Sequence, residues 1–358
     1  MVDALTLLSR LIRVEGITGA EQNVIDAAAE LSRELGLPCR PSSQGLLVFV
    51  RGAGNGPRIC FCSHLDTVPA GDGWTFPPFG GVIEGDVCYG RGAVDDRGCC
   101  LAMLLAAKTL LDKGLPAGEL VVALSIGEEG NDPSLPHLLA NAGPLDAGVI
   151  GEPTMMQIMT AQRGLMIVDL HAEGEQAHAA RGTGPNAIEA LIADLTRLPA
   201  LSWPKRDARL GDIRITPTRL NAGVADNVTP PTATARLDIR TTPATTHVQI
   251  AERLSRELSS TVTVVADQWI PCAVADNHPL VVAALAALNE TSCHASDAAS
   301  DWFVLQQAGI PAIKLGPGDP SWSHRPDERI TRAQLQAGID GYAALARRFC
   351  ATKQGEQP

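Results

Sequence analysis

The sequence predicts an α/β protein whose main domain is interrupted by a smaller inserted one. Three observations predict it. Apolar, strand-like runs alternate with helical patterns up to about residue 162. Near residue 163 the texture changes to segments of alternating polarity, among them "RGLMIVDLHAEGE", "GDIRITPTRLNAG" and "ATARLDIRTTP". From about residue 273 the earlier style returns. The economical division is a discontinuous domain of residues 1–162 and 273–358, with an α/β/α arrangement around a mixed, mainly parallel sheet. Residues 163–272 form the α+β insertion.

Each element has its own justification. "MVDALTLLSRLIRVEG" spaces Leu5, Leu8, Leu11 and Ile12 on one helical stripe. Residues 21–35 do the same with Val24, Ile25, Ala28 and Leu31. "GLLVFV" (45–50) and "RICFC" (58–62) read as strands, and "CLAMLLAAKTLLDKG" (100–114) as a buried helix stopped by Gly114. "ELVVALSIG" and "AGVIGEP" are strands again. In the insertion, the helices are "GPNAIEALIADLTRLP" and "THVQIAERLSREL", and the strand "TVTVVADQW" closes it. The last part reads as helix "HPLVVAALAALNE", loop "TSCHASDAASD", helix "WFVLQQAG", strand "IPAIKLG" and a final helix "TRAQLQAGIDGYAALARRF".

Composition narrows the function. The chain has 358 residues, 45% hydrophobic and 19% charged, which fits a globular protein. A net charge of -11 argues against nucleic acid or an anionic membrane as partner. The longest apolar run, "PLVVAALAALN", falls short of the roughly 20 residues of a membrane span. Asp3 and the lack of a small-residue cleavage site argue against a signal peptide. Nine cysteines without a CxxC spacing form neither a disulfide framework nor a zinc ribbon, so a reducing, cytoplasmic compartment is expected.

Chemistry gathers where the predicted strands end. In "SHLD", His64 and Asp66 are two apart, so in an extended segment they share a face. The aspartate can then hold one imidazole nitrogen while the other binds a metal. "GRGAVDDRG" sets Asp95 and Asp96 between glycines, where a carboxylate can bridge two cations. "SIGEEG" offers Glu128 and Glu129, adjacent carboxylates able to divide the roles of ligand and base. "IGEPT" adds Glu152, and "GPGDPSWSHRPDE" places His324 in a Gly/Pro-rich loop. Two histidines and three carboxylates form an N/O donor set suited to paired Zn²⁺, or to Mn²⁺ or Co²⁺. Singly, such residues are ordinary surface groups. Their placement after apolar strands reads as a metalloenzyme.

At these residues the sequence resembles the M20 family of metallopeptidases and deacylases. The resemblance runs over nearly the whole chain, through "SHLDTVP", "GRGAVDDRG", "GEEG", "GEPT", "NAI", "NVTP", "LDIRTTP" and "GPGD…SHRPDE". It implies two Zn²⁺ per subunit, with Co²⁺ or Mn²⁺ as substitutes. His64 and Glu152 would hold one metal, Glu129 and His324 the other, and Asp95 would bridge them. Asp66 would orient His64, and Glu128 would be the general base. The insertion would be a ferredoxin-like lid and dimerisation domain. From it His178 would reach a partner subunit's oxyanion, while Asn227 and Arg240 would bind substrate, Arg240 through a carboxylate. Ser300 and Asp301 either contact substrate or cap the helix starting at Trp302.

The implied reaction is removal of the N-acyl group from an N-acyl amino acid by a homodimeric amidohydrolase. The "RGLMIVDLHAEGEQAHAAR" and "GPGDPSWSHRPDE" segments point to N-acetylornithine or N-acylcitrulline and arginine biosynthesis. A succinyl-diaminopimelate desuccinylase or a carboxypeptidase or dipeptidase with the same metals is the alternative, and a non-catalytic homologue the different class. Gly127 stands where relatives carry an acidic residue, and Asp96-Arg97 where they carry Met-Lys. These departures question the surroundings of the ligands, not the ligands. No GxSxG elbow, Walker A loop or GxGxxG loop appears.

Overall fold

The computed structural model describes residues 3–130, 132–182, 184–203 and 205–351. Met1 and Val2 of the predicted first helix, and residues 352–358 of the predicted discontinuous domain, lie outside them. The described chain forms two compact units. One comprises the residues up to Thr160, Val274–His294 and those from Ser300 onward. The other is Ala161–Ala273 with Ala295–Ala299.

In chain order the first unit opens with α1 (Ala4–Ile12), α2 (Gln22–Glu34), β1 (Cys39–Ser42), β2 (Gly45–Arg51) and β3 (Arg58–His64). There follow β4 (Val82–Glu84), β5 (Val87–Tyr89), α3 (Arg97–Lys113), β6 (Glu119–Ser125), α4 (Leu135–Ala142) and β7 (Ala147–Ile150). The chain then leaves through β8 (Met159–Gln162) for β9 (Gly164–Glu173), β10 (Ala177–His178) and α5 (Ala187–Arg197). β11 (Arg214–Ala222), β12 (Val228–Thr229), β13 (Thr232–Thr241), α6 (His247–Glu257), β14 (Thr261–Trp269) and β15 (Cys272–Ala273) continue the insertion. The remainder is α7 (Pro279–Leu288), β16 (His294–Ser296), α8 (Trp302–Gln307), β17 (Ala312–Lys314), β18 (Arg329–Thr331) and α9 (Arg332–Cys350).

The first unit is built on a mixed sheet running β1-β2-β6-β3-β7-β17. The neighbours β6/β3, β3/β7 and β7/β17 are parallel, and the β1 and β2 edge is antiparallel. The parallel strands are buried almost throughout, which is why they read as continuous apolar runs. Helices α1, α3 and α9 pack on one another, with α3 and α9 against β3. The Phe61 ring lies 5.3 Å from that of Tyr342 in α9, whose hydroxyl donates to Leu315 O at 2.7 Å. The parallel arrangement brings the carboxyl ends of β3, β6, β7 and β17 to one edge, the usual place for a site in such sheets.

The second unit has the order βαββαβ, with an antiparallel sheet β11-β13-β9-β14. β9 and β13 alternate buried and half-buried residues, so Val168, Leu170, Leu237 and Ile239 pack with Leu191 of α5 and Ile250 of α6. This is the ferredoxin-like α+β arrangement. The Thr246 capping box starts α6.

One difference from the sequence reading concerns residues 291–301. Within that expected loop, residues 294–296 form β16, which pairs with β8. His294 N donates to Ile158 O and Arg163 N to Ser296 O. Asp297 is drawn into the second unit by Arg163 at 2.7 Å and Arg214 at 3.0 Å. No helix among the described residues is long and apolar enough to cross a membrane.

Candidate metal centre

Phe61 and Ser63 of β3 face the helices: Phe61 meets Tyr342, and Ser63 Oγ lies 3.0 Å from Cys100 Sγ of α3. The alternation turns Cys60, Cys62 and His64 the other way. His64 is therefore the last side chain of a buried face, delivered at the sheet's carboxyl edge. Glu128 and Glu129 follow the end of β6, Glu152 follows β7, and His324 lies in the loop after β17. Asp95 comes from the turn leading into α3.

His64, Asp95 and Glu129 each offer a donor atom within 4.8 Å of the other two. Asp95 faces both imidazoles: its Oδ1 lies 3.3 Å from His64 Nε2 and its Oδ2 3.4 Å from His324 Nε2. Ligands about 2.1 Å from a tetrahedral Zn²⁺ stand about 3.4 Å apart. Both His–Asp95 separations match such an edge, as a bridging carboxylate requires. His324 Nε2 also lies 2.7 Å from Glu129 Oε1, a direct hydrogen bond that a metal held between them would open. The backbone of His324 is left-handed, with φ 61°, a strained conformation of the kind found at functional sites.

Glu152 is not in that close group. It lines a cavity of about 10 Å³, room for about one water, with His64, Ser125, Glu128 and Asp301. Burial, the largest influence, pushes Glu152 up to about 7 against the pull of Lys314. Burial also drives Glu128 well above the ordinary carboxylate range, and Glu152, Asp301 and Glu129 add to it. Asp95 is held below that range: burial opposes this, but His64 and His324 outweigh it. The donor set is thus rich in crowded carboxylate, buried at Asp95 and half-buried at Glu129 and Glu152, an environment that divalent cations neutralise. The residues fit a pair of such ions.

Asp66 corrects the sequence expectation in detail. Its backbone carbonyl, not its carboxylate, takes His64 Nδ1 at 3.0 Å, and the nearer carboxylate oxygen stands at 3.5 Å. A carbonyl only accepts, so Nδ1 carries the proton and Nε2 is free to face Asp95. The carboxylate accepts instead from Thr18 Oγ1 at 2.8 Å and from the amides of Glu129 and Glu128 at 3.1 and 3.3 Å. It therefore fixes the turn that presents the two glutamates.

The departures also find their reasons. Gly127 has φ 79°, and a Cβ there would stand 2.4 Å from Asp132 O. No side chain fits that turn. Asp96 is fully buried, accepts from Ser63 Oγ and has its pKa driven well above the ordinary range by burial. Arg97, also fully buried, donates to Leu65 O, Leu11 O and Val14 O at 3.0, 2.8 and 2.7 Å. It fastens α1 to the segment after β3.

Asp301 stands at the N-cap position of α8 but makes no capping hydrogen bond with its side chain. It is buried beside Ser125, lines the cavity, and is pushed up to about 7, chiefly by burial. Ser300 is buried next to it. His178, Asn227 and Arg240 belong to the second unit. His178 and Asn227 are neighbours: Ala179 N donates to Asn227 O at 2.9 Å, and His178 pairs with Val228. Both are exposed, and His178 Nδ1 accepts from Ala180 N at 3.2 Å. Arg240 sits on interior strand β13, not at an edge, and forks onto Asp238 at 2.8 and 3.1 Å. Sequence reasoning gave no role to Thr18, Arg91, Lys314 or Glu328. Arg91 and Glu328 lie inside quoted motifs, which was the only signal for them.

A mixed sheet with converging histidines and carboxylates at its carboxyl edge, and a βαββαβ insertion, defines a class of two-unit hydrolases. Residues 60–348 match the model of peptidase family M20/M25/M40. A LysW-lysine/LysW-ornithine hydrolase of Sulfurisphaera tokodaii is 26% identical, covering 97% of this chain and 96% of its own. A succinyl-diaminopimelate desuccinylase of Rhodospirillum centenum is 31% identical over 66% of this chain and 67% of its own. A solved dinuclear metal-binding M20 peptidase of Bacillus subtilis superposes with a TM-score of 0.73 at 16% identity, covering 98% of both chains. The chain belongs to peptidase family M20/M25/M40. It is a metal-dependent amidohydrolase.

Proposed function

We propose that the protein is a dinuclear zinc deacylase that frees the amino group of an N-acylated diamino acid, with N-acetylornithine as the first substrate to try. Ornithine, lysine and diaminopimelate, the amino acids in the relatives' names, all carry two amino groups. N-succinyl-diaminopimelate is an equal candidate on that ground. The observation that carries the reading is Asp95 with one oxygen toward each imidazole, and the half-buried Glu128 4.0 Å from His64 Nε2.

In this reading His64, Asp95 and Glu152 hold one cation, and Asp95, Glu129 and His324 the other. When bound, the pair supplies Lewis acidity and lowers the pKa of water to roughly 7. Glu128 takes the water proton and passes it to the leaving amine, a task that a raised pKa suits. His178, supplied by a second copy of the chain, donates to the oxyanion. Arg240 binds the substrate carboxylate with the N–H groups that Asp238 leaves free, Asn227 orients the amide, and Ser300 and Asp301 border the acyl pocket.

We assign the first unit to catalysis and the insertion to closure and dimerisation. Supporting the latter, β11 is an edge strand, exposed along nearly its whole length, and its Leu220 is 56% exposed. The nine free cysteines support a cytoplasmic setting. The decisive test is metal analysis coupled to turnover of N-acetylornithine, N-succinyl-diaminopimelate and dipeptides. Chelation should abolish turnover, and Zn²⁺ or Co²⁺ should restore it. A metal-loaded protein that hydrolyses none of these substrates sinks the proposal.

A further inference from the structure

Two charged side chains outside the ligand set are withdrawn from solvent beside it. Arg91 is 1% exposed and Glu328 0%. Arg91 Nη1 donates to Glu328 Oε2 at 2.6 Å. Glu328 Oε1 accepts from the amides of Val94 and Asp95, both at 3.0 Å. Arg91 Nη2 donates to Ala70 O at 3.1 Å, and its guanidinium lies 5.1 Å over the Trp74 ring. The Trp74 indole donates to the same carbonyl at 2.9 Å, and Gly90 N donates to Glu328 O at 2.9 Å.

Burying an ion pair is a poor way to gain stability, since apolar side chains of similar volume often do as well or better. What this pair does have is a position. It joins three loops, the one after His64, the one carrying Asp95 and, more than two hundred residues further on, the one carrying His324. Asp95 can serve two cations only if both its oxygens are presented at matched distances, as the 3.3 and 3.4 Å separations are. Its backbone amide is held by Glu328, four residues beyond His324.

We infer that Arg91 and Glu328 form a positioning bridge that sets the separation of the two halves of the metal centre. The inference rests on the reading of His64, Asp95, Glu129 and His324 as metal ligands. The bridge touches no reacting atom. It acts by fixing the backbone of Asp95 relative to the loop of His324, so its loss should weaken metal binding before it weakens the fold.

The test uses apoprotein titrated with Co²⁺ by calorimetry, with the visible spectrum followed and thermal unfolding of each metal-free protein recorded. The variants are Glu328→Gln, Arg91→Lys and the double Arg91→Met/Glu328→Gln. Asp194→Asn, which weakens the acceptor of the Ser259 and Ser260 amides in the second unit, controls for general destabilisation. Glu328→Gln should bind at least one Co²⁺ about 10–100-fold more weakly, the usual cost of disturbing a ligand's support. Arg91→Lys, which keeps the charge, should weaken Co²⁺ binding less than Glu328→Gln does. The double variant should bind no worse than Glu328→Gln. Asp194→Asn should lower the melting temperature and leave Co²⁺ binding alone. Two Co²⁺ bound with wild-type affinity by Glu328→Gln, with only its melting temperature lowered, would make the pair merely structural and overturn the inference. If the double variant does not fold, the two single variants decide. A wild-type protein that takes up no Co²⁺ removes the metal-centre reading as well, an outcome distinct from weakened binding in the variants alone.

Discussion

Replacing Asp66 by Asn tests the claim that one buried carboxylate sets the turn bearing both glutamates. Asp66 is 0% exposed. Its two oxygens take three donors, Thr18 Oγ1, Glu129 N and Glu128 N, while His64 Nδ1 stands 3.5 Å away. An asparagine has one acceptor oxygen and one donor amide. The milder orientation keeps Thr18 and Glu129 satisfied and sets the new NH₂ against the Glu128 amide. One buried N–H is then orphaned, costing about 1–3 kcal/mol. The two surviving bonds lose their charge assistance, about 1 kcal/mol more. The sum is about 2–4 kcal/mol. In a unit of this size that lowers the melting temperature by about 4–16 °C. Thermal unfolding in chelator measures this without a contribution from bound metal. Hydrogen exchange over residues 126–130 should show the loss of protection locally. A melting temperature within about 1 °C of wild type, with protection at Glu128 and Glu129 unchanged, would refute the reasoning.

Three further outcomes are expected. Glu128→Gln should keep its metals and lose about 10²–10⁴ in kcat, and a metal-loaded variant with full activity would remove Glu128 as the base. Leu220→Lys on the exposed edge strand β11 should dissociate the proposed dimer, and sedimentation velocity showing the same species before and after would count against that interface. His247 is buried between Thr241 Oγ1 and Asp267 O, and burial lowers its pKa below the ordinary 6.5. The folded state therefore binds the proton less readily than the unfolded one, so stability is full above about pH 6.5 and falls as pH drops toward the lower folded value. The melting temperature of His247→Gln should depend less on pH between about 7.5 and 5.5; an identical dependence would exclude His247 as its source.

The sequence by itself determined the strand-terminal part of the site. His64, Glu128, Glu129 and Glu152 follow apolar runs whose length and β-branched content mark buried strands, and parallel strands deliver their carboxyl ends to one edge. Asp95 and His324 sit in Gly/Pro-rich turns with no periodicity, so residue type alone marked them as possible ligands and the family pattern gave them their roles. The insertion was legible because β9 and β13 alternate with period two.

Tertiary structure alone decided the rest. Which oxygen of Asp66 meets His64, why Gly127 has no side chain, and what Arg97 fastens all depend on contacts between segments distant in the chain. Arg91 and Glu328, separated by more than two hundred positions, lie in separate motifs that give no sign of their pairing. A hydrogen bond needs its partners placed to within a few tenths of an ångström, whereas a sequence pattern records only which face of an element is wet or dry.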